Sequence, residues 1–220
     1  MSNVDLILGP DPGRKRPVRT EPTQQRSSQR LDALLDAAAA IVDESGFERL
    51  TTQMVAERAG ASIGTVYRYF PDRVAVLHGL REREVRRFRE RVAEELQLAE
   101  LETWWSIVDV SLEVGTAMYR DEPGFSVVHG GSFELAEDQL EPELADRMAR
   151  LIKAELDVDV EIPELRFRLG VAMELGDALI NRAFERDEAG DERYLEEARR
   201  LVHDYLAEHL GAVRTATNAA

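Results

Sequence analysis

The sequence predicts an all-α chain: an N-terminal three-helix bundle carrying a helix-turn-helix, followed by a larger C-terminal helical domain. Three observations carry this expectation. Apolar residues recur at spacings of three and four along successive segments, the period of a helix with one buried face. The stretch TTQMVAERAGASIGTVYRYF, residues 51–70, reads as helix, tight turn, helix. Charge also divides the chain. Residues 1–92 hold 16 Lys and Arg against 13 Asp and Glu, a net of +3, whereas residues 93–220 hold 12 against 30, a net of −18.

The overall net charge of −15 argues against a nucleic-acid coat spread over the whole surface. A slightly basic front half with a helix-turn-helix, ahead of an acidic remainder, instead suggests a DNA-reading head on a body that does not bind DNA. The absence of cysteine excludes disulfide frameworks and thiolate sites. No apolar run approaches the roughly 18 residues of a membrane span. The segment Leu6–Gly9 is too short for a signal-peptide core, and its basic cluster follows rather than precedes it, so the cytoplasm is the expected location.

In chain order, residues 1–26 combine Pro10, Pro12, Pro17 and Pro22 with Arg14, Lys15, Arg16 and Arg19, and read as a disordered basic arm. Such an arm can follow a DNA backbone or enter a minor groove, or it can be a solvated tail; the residues leave both open. The first helix is expected from Ser27 or Ser28 to Ser45 on the stripe Leu31, Leu34, Leu35, Ala38, Ile41 and Val42, with Gly46 ending it. Thr51 or Thr52 caps the second helix. Ala56 is the small residue where two helices approach, Gly60 tolerates positive φ where the second helix ends, and Val55, Ile63 and Val66 are apolar plugs. Ser62 caps the third helix, although Gly64 just inside it lowers helix propensity. An ordinary αα-hairpin is the competing reading of this stretch.

Phe70-Pro71-Asp72 ends the third helix and opens a fourth at Arg73, which follows Val74, Leu77, Leu80, Val85, Phe88, Val92 and Leu96 to about residue 98. The basic run Arg81–Arg91, interrupted by Glu82, Glu84 and Glu90, is read as a solvated face rather than a second DNA contact. This gives a DNA-binding domain at 27–73, a body at 74–212 with a connecting helix at 74–98, and a flexible tail at 213–220. In the body, a helix is expected over Glu102–Arg120, a break at residues 121–124, a glycine-bearing loop over Phe125–Ser132 that suits a lid or hinge, and a helix over Pro142–Leu156. Two final helices carry long apolar stripes. One runs from Leu165 through Leu169, Ala172, Met173, Gly176 and Ile180 to Phe184, and the other from Tyr194 through Leu195, Ala198 and Val202 to Leu210. Pairs of such helices from two chains would form a four-helix interface, with Ala172, Gly176 and Ala183 permitting close approach; alternatively both stripes close the monomer's own core.

The stretch LTTQMVAERAGASIGTVYRYFPDRVAVL resembles the DNA-binding signature of the TetR-type (TetR/AcrR-like) bacterial transcriptional regulators. A capping Thr, an apolar-Ala pair, Ala-Gly, Ser, Gly-Thr, an aromatic pair with Phe, and a basic residue opening the next helix carry the likeness over about residues 28–80. Arg73 stands where the family usually has Lys. The resemblance implies a ligand-responsive repressor that reads a palindromic operator as a homodimer through its last two helices. It implies that Thr51 and Thr52 hold phosphate, and that Ser62, Ile63, Gly64 and Thr65 open the recognition helix toward base edges. It further implies that Tyr67 places its hydroxyl on a phosphate, that Arg68 reads a guanine, that Tyr69 sits beside the groove wall and that Arg73 returns to the backbone. Val66, Phe70 and also Ile63 are assigned to packing.

The resemblance also implies an effector cavity, with Trp104, Trp105, Val108, Leu112, Met118, Tyr119, Phe125, Phe133, Met173 and Asp177 as candidate walls, although an apolar residue on a helical stripe is more often simple core. Asp109, Glu113, His129, Glu174, Asp177 and Asn181 lie on or near these stripes, and acidic groups beside aromatics suit a cationic ligand. A body that binds a protein, or no effector, is the other reading. An enzyme is disfavoured, because the sequence has no Gly-rich phosphate loop, nucleophile elbow or metal-ligand spacing, and His203 and His209 point to different helix faces. No cofactor is expected.

Overall fold

The computed structural model describes residues 7, 22–126, 141–156, 158–185 and 187–211. Among these the chain is helical: α1 Pro22–Ser45, a 3-10 turn Phe47–Arg49, α2 Thr52–Arg58, α3 Ile63–Tyr69, α4 Arg73–Leu98, α5 Trp104–Asp121, α6 Glu141–Glu155, α7 Ile162–Phe184 and α8 Glu192–Leu210. No helix among the described residues is long and apolar enough to cross a membrane. The glycine-bearing loop beyond Ser126, with His129 and Phe133, lies outside the described residues, as does the tail 213–220.

The chain forms two compact units. One comprises residues 10–85 and 122–135, the other residues 1–9, 86–121 and 136–220, so the division falls inside α4. In the first unit Leu34, Leu35, Ala38, Ile41, Val42, Leu50, Val55, Ala56, Val66, Phe70, Val76, Leu77 and Leu80 make one buried core. Helix α1 begins at Pro22 rather than Ser27 or Ser28. Proline is tolerated there because a first-turn N–H has no partner within the helix. Gly79 lets α4 close on Phe70, whose Cε1 would lie 2.8 Å from an added Cβ.

Part of the basic run on α4 is not a solvated face. Arg83 and Glu84 are 3% and 1% exposed, and they sit three and four residues after Leu80, on the buried stripe itself. Arg83 donates to Glu84 Oε1 from Nε at 3.0 Å and to Asp36 Oδ1 on α1 from Nη1 at 2.7 Å. Val74, expected on the buried face, is exposed, and Val76 is buried beside the expected Leu77. The residues after α5 also return to this unit. Gly124, at φ +75°, donates its N–H to Asp43 Oδ1 at 2.9 Å, and an added Cβ there would stand 2.8 Å from the Ala39 carbonyl oxygen.

In the second unit α7 packs along α8, and α5 and α6 pack against α7. Leu165, Leu169, Ala172, Ile180 and Ala183 of α7 are buried, as are Leu195, Ala198, Val202 and Leu206 of α8. The small residues expected to bring two chains together serve this packing within one chain. A Cβ at Gly176 would meet Leu112 Cδ2 at 2.9 Å and Val202 Cγ2 at 3.5 Å. Ile7, inside the segment read as a disordered arm, is fully buried in this unit, and its carbonyl accepts from Arg147 Nη1 at 3.1 Å. The apolar run at Leu6–Gly9 therefore supplies a core residue.

Candidate nucleic-acid interface

The interface is built from two short capped helices. The Thr51 hydroxyl accepts from Met54 N at 3.1 Å, fixing the start of α2. That helix ends on Gly60 at φ +60°, with Gly60 N donating to Glu57 O and Ala61 N to Ala56 O at 2.9 Å. This pair of bonds is a Schellman ending, and it explains the glycine. Ser62 then caps α3, its hydroxyl accepting from Thr65 N at 3.2 Å. Val55, Ala56, Val66 and Phe70 hold the two helices together from inside. A bidentate pair from Arg58 to Glu44, at 2.6 and 2.5 Å, ties α2 to α1 and holds the Glu44 carboxyl below its usual range.

With the inner face so occupied, α3 exposes Ser62, Ile63, Gly64, Tyr67 and Arg68. Ile63 is 36% exposed, so its assignment as a core plug is wrong. It occupies the first helical position, one turn before the buried Val66, where the helix end leaves it open. Tyr67 is 54% exposed and has no core role. Gly64 leaves the backbone approachable, since an added Cβ would meet nothing nearer than Ser62 Oγ at 3.9 Å. Thr52 is half-buried at the first position of α2, and Thr65 is half-buried with its hydroxyl 2.9 Å from that of Ser62. Two placements were not legible in the sequence. Arg73 Nη1 donates to the Glu48 carbonyl at 2.9 Å, bracing α4 on the 3-10 turn. Tyr69 turns back to α1, with its hydroxyl 3.0 Å from Ser27 Oγ.

Residues 34–80 match the family model described as bacterial regulatory proteins of the tetR family, and residues 102–210 match the tetracyclin repressor-like C-terminal domain. A solved TetR-family transcriptional regulator from Streptomyces coelicolor is 36% identical, with 84% of this chain and 99% of that one covered at a TM-score of 0.71. The chain belongs to the TetR family. The HTH-type transcriptional repressor KstR of Rhodococcus jostii is 40% identical over 63 residues, which is 29% of this chain and 30% of that protein. The chain thus spans under a third of the length of the curated relatives it matches. The fatty acid degradation regulator FadR of Bacillus halodurans shares the fold at 16% identity, with a TM-score of 0.56 over 84% of this chain and 97% of that one.

The C-terminal match contains all of the candidate effector residues. Trp104, Val108, Met118 and Tyr119 are buried, whereas Trp105, Leu112, Met173 and Asp177 are half-buried. Phe125 is buried, in the unit that holds the helix-turn-helix. Tyr119 donates to Asp177 Oδ1 at 3.3 Å and stacks on Phe184 at 5.4 Å between ring centroids. Burial, then the Asp177 charge, pushes the Tyr119 phenol well above its ordinary range. Trp104 and Trp105 meet edge to face at 5.9 Å and both contact the His203 ring. Asp109 and Glu113, read as groups for a cationic ligand, instead hold Arg199, at 2.6 and 3.0 Å. The acidic stripe of α5 thereby answers a cation from α8. Among the described residues no His, Asp and Glu cluster could hold a metal ion.

Proposed function

We propose that the protein is a ligand-responsive transcriptional repressor that binds a palindromic DNA operator as a homodimer. The observation that carries this reading is the outer face of α3, where a capped, braced helix leaves Ile63, Gly64, Tyr67 and Arg68 exposed. In this role Thr51, Thr52 and Tyr67 hold phosphates, while Ser62, Gly64 and Thr65 bring the start of α3 to base edges. Ile63 offers an apolar contact to a thymine methyl, and the Arg68 guanidinium pairs with guanine. Arg73 supports this face from behind through Glu48 as well as meeting the backbone.

The dimer is proposed to form on the last two helices, through the α7 face that intrachain packing leaves open. Phe167 and Val171, one turn apart, are 57% and 37% exposed there. The effector is proposed to bind in the body beside Trp104, Trp105, Val108, Leu112, Met118, Tyr119 and Met173, with Asp177 as the acidic group and a cationic ligand as its partner. Helix α4 supplies residues to both units, so a ligand that favours one setting of the body shifts the separation of the two heads. The test joins sedimentation to DNA binding. Two chains per duplex are expected, with Phe167→Asp giving monomers and weaker operator binding. A wild-type monomer with full affinity contradicts the dimer. In a thermal-shift screen, stabilisation by neutral compounds and by no cation contradicts the ligand class.

A further inference from the structure

We propose that Tyr69 is a positioning residue that presents Arg68 to DNA, anchored to α1 by Ser27. The inference rests on the reading of Arg68 as the base-contacting side chain. Arg68 and Tyr69 are the last two residues of a seven-residue helix. A free arginine at such a helix end would sample many rotamers and surrender them on binding. Here it is held twice over. Its guanidinium carbon lies 5.1 Å from the centroid of the Tyr69 ring, and its Nη2 donates to the Tyr69 hydroxyl at 3.2 Å.

The tyrosine is itself fixed from two sides. Its ring leans on the buried Phe70 at 6.5 Å between centroids. Its hydroxyl pairs with Ser27 Oγ at 3.0 Å and reaches the Ser27 carbonyl at 3.4 Å, across 42 residues of sequence. Hydrogen bonding to Ser27, then to Arg68, draws the Tyr69 phenol below its ordinary range. The chain Ser27–Tyr69–Arg68 therefore connects the first helix of the head to the end of the reading helix. Tyr67, by contrast, is exposed with its hydroxyl available to phosphate. The two tyrosines of the motif have different jobs: Tyr67 meets the DNA, and Tyr69 holds the reader.

The experiment uses the full chain and a duplex recovered by wild-type protein from random sequence. Affinities are measured for that duplex, for each of its single-base-pair variants and for a scrambled duplex. The proteins are wild type, Tyr69→Phe, Ser27→Ala, Arg68→Ala and the Tyr69→Phe/Arg68→Ala double variant. Tyr69→Phe keeps the ring and loses the hydroxyl. It is expected to weaken binding to the recovered duplex about three- to tenfold, the scale of one side chain's ordering entropy. Discrimination should flatten at the same base pairs that Arg68→Ala affects, with scrambled-duplex affinity unchanged. Ser27→Ala should act in the same direction, and Tyr69→Phe should add nothing once Arg68 is alanine. Equal losses on both duplexes, additivity with Arg68→Ala, or tighter binding by Tyr69→Phe overturns the positioning role alone. An unaltered base profile for Arg68→Ala overturns the reader assignment, and the positioning role with it.

Discussion

Gly124→Ala is the substitution on which the packing of the DNA-binding unit can be tested most sharply. Gly124 has φ +75°, and a residue with a β-carbon in this left-handed region costs about 1–2 kcal/mol. The new Cβ would also stand 2.8 Å from the Ala39 carbonyl oxygen and 3.3 Å from its Cα. These are backbone atoms inside α1, so they cannot swing aside like the end of a flexible side chain, and overpacking of this kind costs about 1–3 kcal/mol. Relief requires the turn to back away, which breaks the 2.9 Å bond from Gly124 N to Asp43. A hydrogen bond to a charged acceptor is worth about 1.5–3 kcal/mol. The cost is capped at the energy with which the turn docks, so a local loss of about 3 kcal/mol is expected. Amide hydrogen exchange reads it directly: at about 1.4 kcal/mol per tenfold, protection of the residue-124 amide should fall by about a hundredfold. Asp43→Asn, which keeps an acceptor and loses the charge, should produce a smaller drop at the same amide. Unchanged protection in Gly124→Ala would refute the claim that this turn is held against α1.

Two further outcomes follow from buried polar groups. Arg83→Ala should destabilise the chain by well over about 1 kcal/mol in urea unfolding, because it removes a buried guanidinium that holds both Glu84, at 2.9 Å, and Asp36, at 2.7 Å. An effect under about 1 kcal/mol, the scale of an exposed pair, would place Arg83 back among the solvated charges. Tyr119 has its phenol pKa raised in the folded chain above the ordinary value of 10.0. Its contribution is therefore complete below pH 10 and is lost as pH rises above it, because only the unfolded state then releases the proton. Tyr119→Phe should flatten the alkaline decline of stability by up to about 1.4 kcal/mol per pH unit relative to wild type; identical slopes would contradict the shift.

Much of this fold was legible because local rules agreed with one another. Ser62 capping α3, the positive φ at Gly60 and the break at Pro71 are each forced by short-range chemistry, and each is found. Most of the readings that failed required knowledge of the partner surface. Ile63 has the composition of a plug, yet it stands at a helix start that leaves it 36% exposed. Arg83 and Glu84 look like solvated charges by residue type, but their spacing from Leu80 places them on the buried stripe, a signal that periodicity already contained. Gly176 reads equally as a contact between chains or within one, and only the position of Leu112 on α5 decides that it packs within the chain. Asp109 and Glu113 suited a cation, and the cation proved to be Arg199, 90 and 86 residues away in sequence. The link from Tyr69 to Ser27 spans 42 residues and has no local signature at all.

Selection of bound duplexes from random sequence, run in parallel on wild type and Arg68→Ala, tests whether α3 reads a palindromic operator through Arg68. Wild type should enrich an inverted repeat whose half-sites lie about 34–36 Å, or a multiple, apart along the helix. Arg68→Ala should lose about 1–3 kcal/mol of discrimination at one guanine-containing pair in each half-site while the rest of the repeat persists. No enriched repeat, or the same profile at every position for both proteins, would contradict it.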